Sequence, residues 1–515
     1  MQVAGSEDVR EKVEEARAQM AILSPLVNII DKCIRITGDE QLAVLVPKLS
    51  SLAKSSVGLT PRVTLLHTVA LLAANCQHSL TPYVGKLMAA LFVVLGDRSI
   101  VVRNKCAGTI ATLVRFAKPS TVDNVIEKLT TWYLEKEDGT RELVARLMFN
   151  MVNSAPDVIK NVKSEVIPLV MFGRHVAGPE EAERWSNVWV ELGVSEQASL
   201  TLYLTEIRLF CLKCLESNVW GNRRQAAATL ENVALVLGKE YPLEECRKVC
   251  EGLVSASTGR VWPGKEAIMS ALCTTIVKSP CDLGQLGFTA EGLIQLCMRE
   301  ASRSNNDYIY AVITSFSLLV EHLKVDCWAT VWELAHSHLT PKEEEEGEEE
   351  VKRKKTFLIE SKVQQSCVLL LGSAWQHCES KKESLQPLSD LLAGSIKICV
   401  WSSQTFILSS LSKIVSSLEP SWSGDSAAPF INYMLPEVLR CVDDMTHASV
   451  RCLALKLLLT TLKVVKKVFV VGLIKPEVVE DIKDHVRDQV GRDSNQALKS
   501  VGVEIIKLLE KDYVL

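Results

Sequence analysis

The sequence predicts an all-α protein, an α-solenoid of stacked helical hairpins, and three observations predict it. A helix–turn–helix unit recurs about every 40 residues. No stretch sustains the period-two alternation of a half-buried strand. Aromatic residues make up only 6% of a chain in which 47% of residues are hydrophobic, which is helix-bundle rather than strand composition. At 515 residues the chain also exceeds the size at which one core keeps growing, so it divides into domains or is built as an array.

The segment Leu80 to Val114 displays the unit. Thr81 is placed to cap a helix with Pro82 at its first position, where a missing N–H does no harm. Leu87, Ala90, Leu91 and Val94 follow at helical spacing. Gly96 and Asp97 stop that helix. Ser99 opens a second one, whose apolar face carries Val102, Cys106, Ile110 and Leu113.

By the same signals, second helices begin near Pro61, Ser99, Arg141, Glu181, Asn222, Trp262 and Asp307. Looser spacing then places them near Glu360, Trp401, His447 and Ser494. Several carry a basic residue near the start: Arg62, Arg103, Arg141, Arg223, Lys265 and Arg451. Turns fall at Pro119, Pro156, Gly193 and Pro280. This is the interval of HEAT or armadillo repeats, giving about eleven hairpins. One hairpin cannot bury its apolar faces, so neighbours stack into a curved rod in which each touches only the next. HEAT-like repeats are expected over residues 1–340 and again over 356–515. Between them, 341–355 (PKEEEEGEEEVKRKK) reads as a solvated, removable loop; an acidic docking tail or an import signal at Lys352 to Lys355 are the sharper readings.

Charge and cysteine usage bound the function. The chain has 58 basic and 62 acidic residues, a formal charge of −4, and so no electrostatic footprint for nucleic acid or an anionic membrane. Its 16 cysteines lie mostly in apolar helical stretches without framework spacing, behind a polar N-terminus that is no secretory signal. They read as reduced, buried small hydrophobes of a cytosolic or nuclear protein. The uncharged apolar run Val468 to Ile474 is too short to span a bilayer.

Candidate sites each meet a plainer reading. Gly259 to Glu266 (GRVWPGKE) nearly matches a phosphate loop, but Glu266 stands where a hydroxyl is needed and no strand precedes it. The segment also falls on schedule as a repeat turn, with Trp262 packing between hairpins and Pro263 starting the helix. Cys211 with Cys214, and Cys246 with Cys250, lie on apolar helix faces without further zinc ligands at recognisable spacing. His336 and His338 point to different sides of a helix. Glu180, Glu181 and Glu183 read as a solvated helix face. No nucleophile motif is present. The expectation is therefore a binding protein and not an enzyme, with no catalytic, cofactor or metal residue to assign.

Six segments carry a resemblance. LTPYVGKLMAAL (80–91), GDRSIVV (96–102), KLTTWYLEKE (128–137), SAPDVIKNVKSEVIPL (154–169), WSNVWVE (185–191) and the turn GRVWPGKE together resemble the large HEAT-repeat proteasome adaptor and scaffold family. The likeness is good over Leu80 to Lys278 and thins after about Lys324. Family members are much longer, so the resemblance implies only the C-terminal part of one, with Met1 an internal start, a short isoform or an incomplete gene model. It implies the family's partners: the proteasome core and regulatory particles, whose association the family tethers and monitors, and endosomes, endoplasmic reticulum or motors reached through partners. A karyopherin- or coat-like transport solenoid is the alternative, though the near-balanced charge speaks against a karyopherin's acidic inner surface. As an interior piece the N-terminal end would lack a polar cap, leaving Ile22, Leu26 and Ile29 as apolar surface. The C-terminal helix would bury Val501, Ile505 and Leu508 under Lys499, Glu504, Lys507 and Lys511.

Overall fold

Three second helices start on side-chain caps that the sequence carries. Ser99 Oγ accepts the Val102 N–H at 3.4 Å and opens the helix Ile100–Val114, whose Val102, Cys106, Ile110 and Leu113 are all buried. Asn305 and Ser361 cap the helices Asn306–Leu323 and Lys362–Trp375 in the same way. The structure, a computed structural model, describes residues 2–135, 138–339, 361–418, 424–468, 473–493 and 495–512. The charged segment 341–355 lies outside the described residues.

Among the described residues eleven hairpins follow one another, with no strand. Hairpins 1 to 5 pair Asp39–Ser55 with Leu59–Cys76, Val84–Val94 with Ile100–Val114, Pro119–Glu135 with Asp138–Ser154, Lys163–Gly173 with Pro179–Glu191, and Leu204–Leu215 with Trp220–Leu237. They form one unit, Met1–Leu237. Hairpins 6 to 8 pair Leu243–Ala256 with Glu266–Lys278, Ala290–Ala301 with Asn306–Leu323, and Trp328–Leu339 with Lys362–Trp375. Hairpins 9 to 11 pair Lys381–Ile396 with Trp401–Ser416, Gly424–Val442 with Ala448–Val468, and Pro476–Arg492 with Gln496–Asp512. These six form a second unit, Gly238–Leu515. Successive second helices stack on one another through hairpins 1 to 4 and again through hairpins 6 to 11, and the core lies between them and the first helices.

Four of the six basic residues near second-helix starts share a task. Arg62 donates to the Ser56 carbonyl, Arg223 to that of Ser217, Lys265 to that of Gly259 and Arg451 to that of Asp444. Each thereby satisfies a carbonyl of the turn within its own hairpin. Arg62 and Arg451 also pair with Asp97 and Asp493, in the turn of the next hairpin.

Four expectations need correction. Thr81 and Pro82 lie inside a 3₁₀ turn, Gln77–Tyr83, and the helix they were to open starts at Val84. Pro263 does not start a helix; it belongs to a turn in which Gly264 adopts φ +103°, and the helix begins at Glu266. The last helix centres its buried stripe on Leu498, Gly502, Ile505 and Leu509, leaving Val501 and Leu508 half-buried. Gly502 explains the rotation: a Cβ there would stand 2.4 Å from Val490 Cγ2, so the helices meet at that glycine.

The fourth correction concerns neighbours. Hairpins 3 and 5 are hydrogen-bonded directly although hairpin 4 intervenes in sequence. Arg141 Nη2 donates to Asn222 Oδ1 at 3.0 Å, and Asn222 Nδ2 donates to the Leu134 carbonyl at 2.9 Å. Gln225 Nε2 reaches Tyr133 Oη at 2.9 Å and also the Phe172 carbonyl of hairpin 4. Asn222, Gln225 and Tyr133 are at most 2% exposed, so these bonds form away from water and are costly to leave half-made.

Two helices, Gln2–Ile22 and Pro25–Ile34, precede hairpin 1. The first lies on the second helices of hairpins 1 and 2, where its Glu14 accepts from Ser99 Oγ at 2.6 Å. It turns Ala18 and Ala21 inward and Val9, Val13 and Met20 outward. The second helix buries Val27 and Ile34 and exposes Leu26 and Ile29, while Ile22 is half-buried. Joint Leu26→Glu and Ile29→Glu substitution is expected to change stability by no more than about 0.5 kcal/mol per site while reducing concentration-dependent association in sedimentation. A loss above about 1 kcal/mol per site in urea unfolding would mean that other side chains cover the pair.

Candidate interaction surface

The phosphate-loop lookalike is closed from within. The Glu266 carboxylate accepts the Gly264 N–H at 3.1 Å, occupying a donor that a phosphate would need. Lys265 is 0% exposed and points to Glu300 at 3.1 Å, itself 0% exposed. Arg299, Arg303 and Tyr308 donate to the same carboxylate at 3.1, 3.1 and 2.9 Å. Burial pushes the Glu300 carboxyl up, but hydrogen bonds from Arg303, Tyr308 and Lys265 outweigh it and hold the group at about 2. Burial also draws the Lys265 ammonium below its ordinary value against the pull of Glu300. The cluster joins both helices of hairpin 7 to the turn of hairpin 6. Trp262, in that turn, is buried.

Glu300 was not foreseen, but a signal exists. It falls on the apolar stripe of its helix, after Leu293, Leu296 and Cys297, where a carboxylate demands a partner.

The remaining sequence candidates sort by burial. Cys211, Cys214, Cys246 and Cys250 are all buried on inner helix faces. All sixteen cysteines are free thiols; twelve are buried, three are half-buried, and Cys33 is exposed beside Leu26 and Ile29. Cys33 therefore departs from the buried reading, because its helix turns that side outward. Among the described residues no group of three or more His, Cys, Asp or Glu is placed to hold a metal ion. No described helix is long and apolar enough to cross a membrane.

Open surface with shape lies in the first unit. A trough of about 640 Å³ runs over the first helices of hairpins 3, 4 and 5. Its rim carries Asp123, Glu127, Glu135, Glu165 and Glu206 against one cation, Lys213. Half-buried Leu134 and Phe210, with Leu209 at 55% exposure, supply apolar wall. A second hollow of about 460 Å³ lies on the second-helix layer, with Asn104, Asn150, Arg146 and Arg184 among its lining. There the charges are already matched, since Arg146 and Arg184 both approach Glu142, at 3.6 and 3.0 Å.

Known proteins resemble this chain in sequence and in fold. The family model of the HEAT-repeat domain of "Proteasome adapter and scaffold protein ECM29" matches residues 1–134. The human protein of that name is 26% identical over 489 residues, covering 90% of this chain and 26% of its own length. The Saccharomyces cerevisiae "Proteasome component ECM29" is 23% identical over 297 residues, 57% of this chain and 16% of its own. The chain thus spans about a quarter or less of these relatives, and the likeness reaches well beyond Leu80 to Lys278. Among solved structures, importin beta gives a TM-score of 0.52 at 10% identity, over 94% of this chain and 59% of its own. Kap121p bound to RanGTP gives 0.50 at 10% identity, over 98% and 57%. At such identity these show a shared solenoid fold and nothing more. In sequence the chain is thus similar to a region of the ECM29 HEAT-repeat proteins.

Proposed function

We propose that this chain is a non-catalytic adaptor segment that binds the proteasome, supporting the association of core and regulatory particles. The observation that carries the reading is the match over 90% of the chain to a protein named for proteasome adaptation and scaffolding. The physical form agrees with it. Layers of stacked hairpins offer long open faces, whereas the buried charged cluster is consumed by its own pairing and presents no reactive group. The protein acts in the cytoplasm and the nucleus, and meets endoplasmic reticulum, endosomes or motors through partners rather than by insertion.

Affinity purification of the tagged chain, with the co-purifying proteins identified, tests this. Core and regulatory particle subunits are the expected catch. Recovery of a small GTPase with nuclear-pore proteins and no proteasome subunit would overturn the adaptor reading in favour of transport.

A further inference from the structure

We propose that the trough over hairpins 3, 4 and 5 binds a basic, amphipathic helical segment of a partner protein. Its size sets the class of occupant. A hollow of about 640 Å³ has the capacity of a ligand pocket and takes a segment, not a folded domain. Its lining follows one face of the hairpin 3 helix from Asp123 to Glu135, a length of about 18 Å, or some three helical turns.

Charge sets the chemistry. Five carboxylates face one lysine, a local imbalance of −4 (five negative, one positive), equal to the formal charge of the whole chain. Asp123, Glu127, Glu135, Glu165 and Glu206 are exposed, and none forms an ion pair among the described residues. The imbalance is thus concentrated on this concave patch, where low-dielectric walls focus the field onto an incoming cation. By contrast, the arginines of the second-helix hollow already have a carboxylate between them.

Leu134, Leu209 and Phe210 give the apolar half of an amphipathic helix a seat, the groove-docking mode in which anchors recur at i, i+3 and i+4. An acidic segment would meet like charge along the rim, and a nucleic acid would be repelled throughout.

The test uses the full chain and a fluorescein-labelled alanine-based peptide of roughly 16 residues, with lysines four apart on one face and leucines on the other. Anisotropy is expected to show binding that weakens between about 50 and 300 mM salt. Joint Glu127→Lys and Glu206→Lys reversal, and separately Leu209→Asp, should each weaken it by about tenfold or more with circular dichroism and Tm unchanged. Equal binding of the same peptide with glutamate for lysine overturns the proposal. So does an affinity within about twofold of the parent's in the charge-reversed chain, or no binding of the lysine peptide at 1 mM. Proteasome co-purification is scored separately and does not depend on this peptide, so either reading can fail alone.

Discussion

Replacing Glu300 with alanine is expected to lower the unfolding free energy by about 3–5 kcal/mol, the cost of leaving a buried lysine without its counter-charge. Both groups are 0% exposed, so water does not replace the lost partner. Denaturant titration, with hydrogen exchange resolved over hairpins 6 and 7, checks the size and place of the loss; a loss below about 1 kcal/mol would sink the account. Removing both charges together, as Lys265→Met with Glu300→Leu, should cost less than Glu300→Leu alone, because no buried lysine is then left without its counter-charge. The pH dependence has a definite sign. The folded carboxyl sits at about 2 against an ordinary 4.5, so its contribution is complete above pH 4.5 and is lost as the pH falls toward 2. In Glu300→Gln that portion of the acid sensitivity should vanish.

The second large effect is expected where hairpin 4 closes on itself. Trp185 is 0% exposed and stands edge-on to Tyr133 at 5.2 Å between centroids. Gly173, at the end of the preceding helix, lies so near that a Cβ there would stand 2.3 Å from Trp185 Cδ2. Trp185→Ala should cost about 3–5 kcal/mol through the cavity it leaves. Gly173→Ala should cost about 1–3 kcal/mol through overpacking. The two must interact: in the Trp185→Ala background the added methyl has room, so Gly173→Ala there should be close to neutral. Additive losses in urea unfolding would mean that the glycine is needed for some other reason.

The repeat architecture was legible because it is written locally. Apolar spacing, caps and turn residues placed all eleven second helices within four residues of their observed starts, from Leu59 to Gln496. The two largest offsets have separate causes. Asp138 begins its helix ahead of Arg141, which instead reaches inward to Asn222. Glu266 begins one after Trp262, because the Pro263–Lys265 turn must swing Lys265 inward.

What the sequence did not disclose joins residues from different hairpins. The partners Lys265 and Glu300 are 35 positions apart, and Arg141 and Asn222 are 81 apart. Periodicity within one helix carries no record of such pairings. The trough is of the same kind: Asp123, Glu165 and Glu206 look like three ordinary solvated faces until stacking sets them side by side.

The direct bonds between hairpins 3 and 5 bear on how such a protein changes over generations. Repeat arrays grow and shrink by duplicating or losing whole modules, since a new neighbour need only present the same apolar faces. Between Leu134 and Asn222 that freedom is withdrawn. The spacing that lets Asn222 reach Leu134, and Gln225 reach both Tyr133 and Phe172, includes one intervening module. A lost or extra copy there would strand buried amides with no water to receive them, so module number is constrained in this stretch more than in its neighbours.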